Sequence, residues 1–123
     1  AEELSKASKL ILPGVGHFSK GSEKLDELEI RDVLKHLAFN KGIPILGICL
    51  GMQLLCKRSE EGDVEGLGLV DADVVRFVSD KTYGLRVPHM SWCYVEENKN
   101  KYLYEKLPLE SVCTLNHSFS NSL

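Results

Sequence analysis

The sequence predicts an α/β fold, an open and mostly parallel sheet with flanking helices. Three observations carry that expectation. Two short continuous apolar runs, residues 9–12 and 43–48, read as buried strands. The segment between them repeats apolar residues at helical spacing and is long enough for a parallel crossover. A second helical pattern follows the second run, so the order is strand, helix, strand, helix.

Each element has its own signal. The run KLIL at 9–12 is stopped by Pro13 and Gly14, which predicts a strand entering a turn. From 22 to 40 one helix is expected, with Ile30, Val33, Leu34 and Leu37 on one face at i, i+3, i+4, i+7. Glu27 and Arg31 would form an i,i+4 pair on it, and Gly42 with Pro44 would end it. Residues 50–57 read as the next helix, closed by the polar SEEGD. Three later stretches, 73–78, 87–95 and 112–119, are β-branched and aromatic and predict further strands, with a helical turn at 103–107 before Pro108. Ligands of such sheets bind outside the carboxyl ends of the strands, where Pro13 to Gly16 and Cys49 both fall.

Composition bounds the function. The 123 residues, 43% apolar and 27% charged, read as one domain with a packed core. A net charge of −3 and no Lys/Arg stripe argue against nucleic-acid binding through bulk positive charge. The longest apolar stretch, 43–56, contains Pro44 and Gln53 and is too short to span a bilayer. The opening AEELSKASK has no apolar core of a signal peptide, so a cytoplasmic protein is expected. Cys49, Cys56, Cys93 and Cys113 are scattered, without C-x-x-C or paired histidines. They read as reduced thiols, and no metal or other cofactor is expected.

The informative segment is Gly47-Ile48-Cys49-Leu50-Gly51, a G-x-C-x-G at a strand-to-helix junction. In the related G-x-S-x-G elbow the nucleophile sits on a sharp, strained turn, and small neighbours let strand and helix approach closely. With glycine at about 7% of residues, both neighbours of a given cysteine are glycine about 0.5% of the time. Over four cysteines that is roughly 2%, so the position after a strand is what sharpens the signal. A thiol there lies at a helix N-terminus, which favours the nucleophilic thiolate. The Leu50 N–H is aimed at an oxyanion formed by attack. The Pro13-Gly14-Val15-Gly16 loop at the end of the neighbouring strand offers a second backbone donor. Taken singly, Cys49 would read as a small buried hydrophobe and the loop as a Pro-Gly turn.

The ordered set PGVGHF, GICLGMQLL, EGLGLVDADVVRF and VPHMSW resembles the class I glutamine amidotransferases, which are flavodoxin-like. Within them it is most similar to the glutaminase subunits of imidazole glycerol phosphate synthase, which serve histidine biosynthesis. The resemblance runs from about residue 9 to 119. It implies that Cys49 attacks the side-chain amide of glutamine, releasing ammonia and leaving a γ-glutamyl thioester. Leu50 and Val15 would donate the oxyanion-hole N–H groups. Gly14, Gly16, Gly51 and Gln53, with His117, Ser118 and Phe119, would line the glutamine site. Pro88, His89, Met90 and Trp92 match a segment facing the partner synthase, or cyclase, subunit and its ammonia passage, so a heterodimer is implied. Trp92 alone would read as an ordinary core tryptophan.

Departures from the family pattern accompany these matches. The family completes its site with a His and a Glu in a stretch like QFHPE, which this sequence does not contain. A strand-helix-strand unit that precedes the PGVG loop in the family is also mostly missing, so the domain at 1–123 is expected to be partial, with apolar sheet edges exposed. His117 matches the pocket wall rather than the base, His17 reads as a loop residue and His36 as solvated surface. Cys56, Cys93 and Cys113 read as packing residues. Ser91 and Cys93 stand where the family has Gly and Asn, which raises a second acceptor, a surface sugar. A catalytically inactive binding module is the remaining alternative.

Overall fold

The computed structural model describes residues 3–77, 89–94, 112–117 and 119–122, with side chains over 3–77. It divides into two units, Ala1–Arg76 with Phe119–Leu123, and Phe77–Ser118.

In the first unit, after a 3-10 turn at Leu4–Lys6, strand β1 (Leu10–Gly14) pairs in parallel with β2 (Ile45–Cys49). The register sets Leu10 beside Ile45 and Gly14 beside Cys49. The expected parallel crossover between them is present, but it contains two helices, α1 (Phe18–Glu27) and α2 (Arg31–Phe39). The single helix expected over 22–40 is therefore corrected. The break is a Schellman ending: the Ile30 N–H bonds the Leu25 carbonyl at 3.0 Å and the Glu29 N–H bonds that of Asp26 at 2.9 Å. Glu29 takes the left-handed position at φ 53°. Ile30 packs against the core cluster that holds Leu25, the apolar contact that accompanies this motif. Since glycine fits that position without strain, Glu29→Gly is expected to stabilise the unit by about 0.5–1 kcal/mol in urea unfolding.

The chain reversal also redirects Arg31. The expected partner, Glu27, bonds Lys24 instead at 2.8 Å, while the Arg31 guanidinium clamps the Asp26 carboxylate. It donates further to the Gly66 carbonyl at 2.8 Å and to Ser22 Oγ at 2.7 Å. One side chain thus ties α2 to α1 and to the segment beyond α3. Arg31→Ala leaves the Gly66 carbonyl and the buried Ser22 hydroxyl short of a donor, and is expected to cost about 2 kcal/mol in urea unfolding. The same clamp holds the Asp26 carboxyl below the ordinary carboxylate range. Its contribution is present above that range and is lost as pH falls through the depressed value.

Helix α3 (Leu50–Leu54) follows β2 directly and is shorter than the expected 50–57. Residues 66–70 take over the carbonyls that a longer helix would use. The Leu67 N–H bonds the Leu54 carbonyl at 2.7 Å, the Leu69 N–H that of Leu55 at 2.8 Å and the Gly68 N–H that of Cys56 at 3.0 Å. The SEEGD stretch does not simply close a helix. It spans most of a hairpin between β3 (Arg58–Ser59) and β4 (Val64–Glu65), turned by Gly62 and Asp63 at φ 93° and 49°. Strand β3 also pairs in parallel with β5 (Asp73–Arg76), which pairs antiparallel with β8 (Phe119–Ser122), giving the order β4-β3-β5-β8.

The core of this unit joins Phe18 and Leu25 of α1, Leu34 of α2, Leu50 and Leu54 of α3, Leu67 and Val74. Leu10, Leu12 and Ile45 press the helical face of the β1–β2 sheet against it. Ile11, Leu46 and Ile48 alternate onto the other face and are 64%, 40% and 48% exposed.

In the second unit β6 (His89–Tyr94) pairs antiparallel with β7 (Val112–His117), within the expected strands 87–95 and 112–119. Of the latter, 112–117 form β7 and Phe119 opens β8; residue 118 lies outside the described residues, as do the expected turn at 103–107 and the end of the strand expected over 73–78.

Candidate active site

The sequence of β2 and α3 dictates a sharp turn at Cys49. The strand runs into the helix with no intervening loop, so one residue must reverse the backbone. Cys49 does so with φ 55° and ψ −120°, a conformation that costs an L-residue on the order of 1–3 kcal/mol. Its side chain is exposed while that of Leu50 is buried at 5% in the core. The buried leucine anchors the turn and leaves the thiol outside.

The flanking glycines are required by contact. A Cβ on Gly47 would stand 2.5 Å from Met52 Cα, and one on Gly51 would stand 1.7 Å from the Leu12 carbonyl oxygen. The first lets α3 fold back over its own strand. The second lets α3 lie against β1.

The neighbouring loop is set by the β1–β2 register. Gly14 is opposite Cys49, and a Cβ there would be 3.2 Å from Leu50 Cβ and 3.3 Å from Gly51 N. The residues whose N–H groups were expected to face an oxyanion, Val15 and Leu50, thus follow two adjacent strand ends. Leu50 opens α3, so its N–H has no carbonyl one turn back within the helix. Val15 is 88% exposed, and Gly16 at φ 107° has open space around it. A cleft of about 350 Å³ beside this loop is lined by Pro13, Gly14, Val15, Lys20, Lys24 and Leu50, among others, but not by Cys49.

Cys49, Leu50, Gly51, Gly14, Val15 and Gly16 are therefore brought together. Gln53 is one turn along α3 and buried at 8% exposure. His117 ends β7 opposite His89 of β6, while Met90 and Trp92 face Asn116 and Thr114 in the register. Phe119 opens β8 opposite Arg76. Ser118 and Pro88 lie outside the described residues.

His17 has a structural duty that the sequence reading did not assign. It is the N-cap of α1, and its Nδ1 accepts from the Ser19 N–H at 3.3 Å and lies 2.9 Å from Ser19 Oγ. His36 is exposed on α2, as expected. Cys56 is fully buried, as expected of a packing residue, and burial pushes its thiol up. Glu61, which the sequence did not single out, accepts from the Phe18 N–H at 2.7 Å. It fixes the start of α1, two residues after Gly16, from the β3–β4 loop. Nothing in the spacing of SEEGD marks Glu61 for this contact.

The family model described as glutamine amidotransferase class-I matches residues 2–122. The chain is 42% identical over 118 residues to imidazole glycerol phosphate synthase subunit HisH 2 of Methanococcus maripaludis, covering 96% of this chain and 57% of that protein. It is 44% identical over 119 residues to subunit HisH 1 of Campylobacter jejuni, covering 96% and 58%. With subunit HisH of Bdellovibrio bacteriovorus it shares 38% over 120 residues, covering 97% and 59%. The chain thus spans a little under three fifths of the length of these relatives.

Proposed function

The chain belongs to the class I glutamine amidotransferases, and from that premise we propose that it carries the nucleophile half of a glutaminase site that supplies ammonia to a synthase. The observation that carries this is the strained, exposed Cys49 beside Gly14, with backbone donors leaving both strand ends. The Cys49 sulfur attacks the side-chain carbonyl carbon of glutamine, and the Leu50 and Val15 N–H groups receive the developing oxyanion. Collapse expels ammonia and leaves the γ-glutamyl thioester. Water then cleaves the thioester to glutamate and restores the thiol.

On the family's pattern Gly14, Gly16, Gly51 and Gln53, with His117, Ser118 and Phe119, would line the glutamine site. The proton relay belongs, on the family's pattern, to a His and Glu in a stretch like QFHPE, which this sequence does not contain. His17 is instead the N-cap of α1, its Nδ1 accepting from the Ser19 N–H. The 123 residues would then be one portion of a single amidotransferase domain, working in the cytoplasm.

The relatives' names support one destination for the ammonia, an imidazole glycerol phosphate synthase. On this reading Pro88, His89, Met90 and Trp92 face the cyclase subunit of a heterodimer and border the ammonia passage. Ser91 and Cys93, in that same segment, favour one alternative, a synthase that aminates a surface sugar. Swapping the partner subunit and identifying the aminated product separates the two.

The first test is alkylation of the intact protein by diazo-oxo-norleucine, a glutamine-mimicking electrophile. One adduct is expected, on the tryptic peptide 42–57 at Cys49 and not at the buried Cys56. Excess glutamine should slow its formation. An adduct on Cys56, or labelling indifferent to glutamine, overturns the assignment.

A further inference from the structure

The second unit holds two of the four cysteines at one register position. In the β6–β7 ladder Cys93 of β6 stands directly opposite Cys113 of β7, between the Trp92–Thr114 and Tyr94–Val112 pairs. Residues paired across an antiparallel ladder share one face of it. Directly opposed residues have Cα atoms about 4.5 or about 5.5 Å apart, according to the type of pair. Both separations fall inside the range of about 4.4–6.8 Å that a disulfide spans. Chance placement of two scattered cysteines seldom meets that condition, because a slip of one residue in either strand would put them on opposite faces.

We propose that Cys93 and Cys113 are a reversible modification site, a cross-strand dithiol that a low-molecular-weight disulfide converts to an intrachain disulfide. The exchange balances in two steps. The thiolate of one cysteine attacks a sulfur of oxidised glutathione, forming a mixed disulfide and expelling one glutathione thiolate. The thiolate of the other then attacks the protein sulfur of that mixed disulfide and expels the second. Two protein thiols and one oxidised glutathione become one protein disulfide and two reduced glutathiones, with the thiol protons passing to the departing thiolates.

The other cysteines are placed differently. Cys49 ends β2 in the first unit with its side chain exposed, and Cys56 is fully buried there. The tie would join β6, which carries His89, Met90 and Trp92, to β7, which ends at His117. Its formation does not depend on the glutaminase reading, and neither does its test.

The intact protein is incubated with oxidised glutathione in excess, quenched with acid, digested with trypsin without reduction and mapped by mass. The expected product is peptide 87–99 linked to the tryptic peptide that begins at Leu107, about 2 Da lighter than the two free peptides together and separated by reduction. Cys113→Ser should abolish the link and leave a glutathione adduct on Cys93, whereas Cys49→Ser should retain it. Links that instead join Cys49 to either residue, or glutathione adducts on Cys93 and Cys113 with no link between them, overturn the proposal.

Discussion

Replacing Gly51 by alanine is expected to leave the first unit unable to fold stably. The added methyl would stand 1.7 Å from the Leu12 carbonyl oxygen and 3.2 Å from the Pro13 carbonyl carbon. Both atoms belong to the backbone of β1, which is held along its length by the pairing with β2. No rotamer change relieves such a contact, so α3 must move off the sheet. Its departure would withdraw Leu50 and Leu54 from the core. Overpacking usually costs about 1–3 kcal/mol and more where, as here, only backbone faces the added atom, a large part of the roughly 5–15 kcal/mol that holds a typical domain together. Gly42→Ala is the control: Gly42 has φ 64° but open space around it, so only the backbone strain of about 1–2 kcal/mol applies. Urea unfolding midpoints should therefore fall far more for Gly51→Ala, if it yields soluble protein at all. Equal losses would mean that the glycine serves conformation rather than the approach of helix to strand.

Those same contacts explain which parts of the fold were legible in the sequence. The strands β1 and β2 and the elbow were readable because their signals are local: continuous apolar runs, and glycines at the two positions where backbone meets backbone. The break between α1 and α2 was not. It depends on Glu29 occupying a left-handed position that normally selects glycine, so composition gave no mark there. The pairing of Arg31 with Asp26 rather than Glu27 follows from that break. The early end of α3 was hidden for a different reason. Its last carbonyls are bonded by residues 66–70, and such a nonlocal substitution leaves the helical pattern of 50–57 unchanged. Within the site, Cys49, Leu50 and the Gly14–Gly16 loop could be placed from spacing. The duties of His17 and Glu61 could not, since both depend on tertiary contacts around the start of α1.

Cys49 supports a prediction in which stability and activity move in opposite directions. Its backbone sits at φ 55° and ψ −120°, while its exposed side chain contributes little burial. Cys49→Gly should remove most of the strain. After allowance for glycine's greater freedom in the unfolded chain, a net gain of about 1 kcal/mol is expected, visible as a thermal midpoint higher by several degrees. Cys49→Ser keeps the backbone cost and should change stability by less than about 0.5 kcal/mol. Under the proposed function, both substitutions should lower glutamine hydrolysis by at least about 10³-fold in the complete enzyme with its synthase partner, because each removes the nucleophile. The glycine variant separates two accounts of the elbow. If the turn is held against its preference to present a thiol, relieving it stabilises the fold and abolishes the reaction. If Cys49→Gly instead destabilises the protein, the thiol is serving as a packing group. Retained hydrolysis in Cys49→Ser would remove Cys49 from the nucleophile's role altogether.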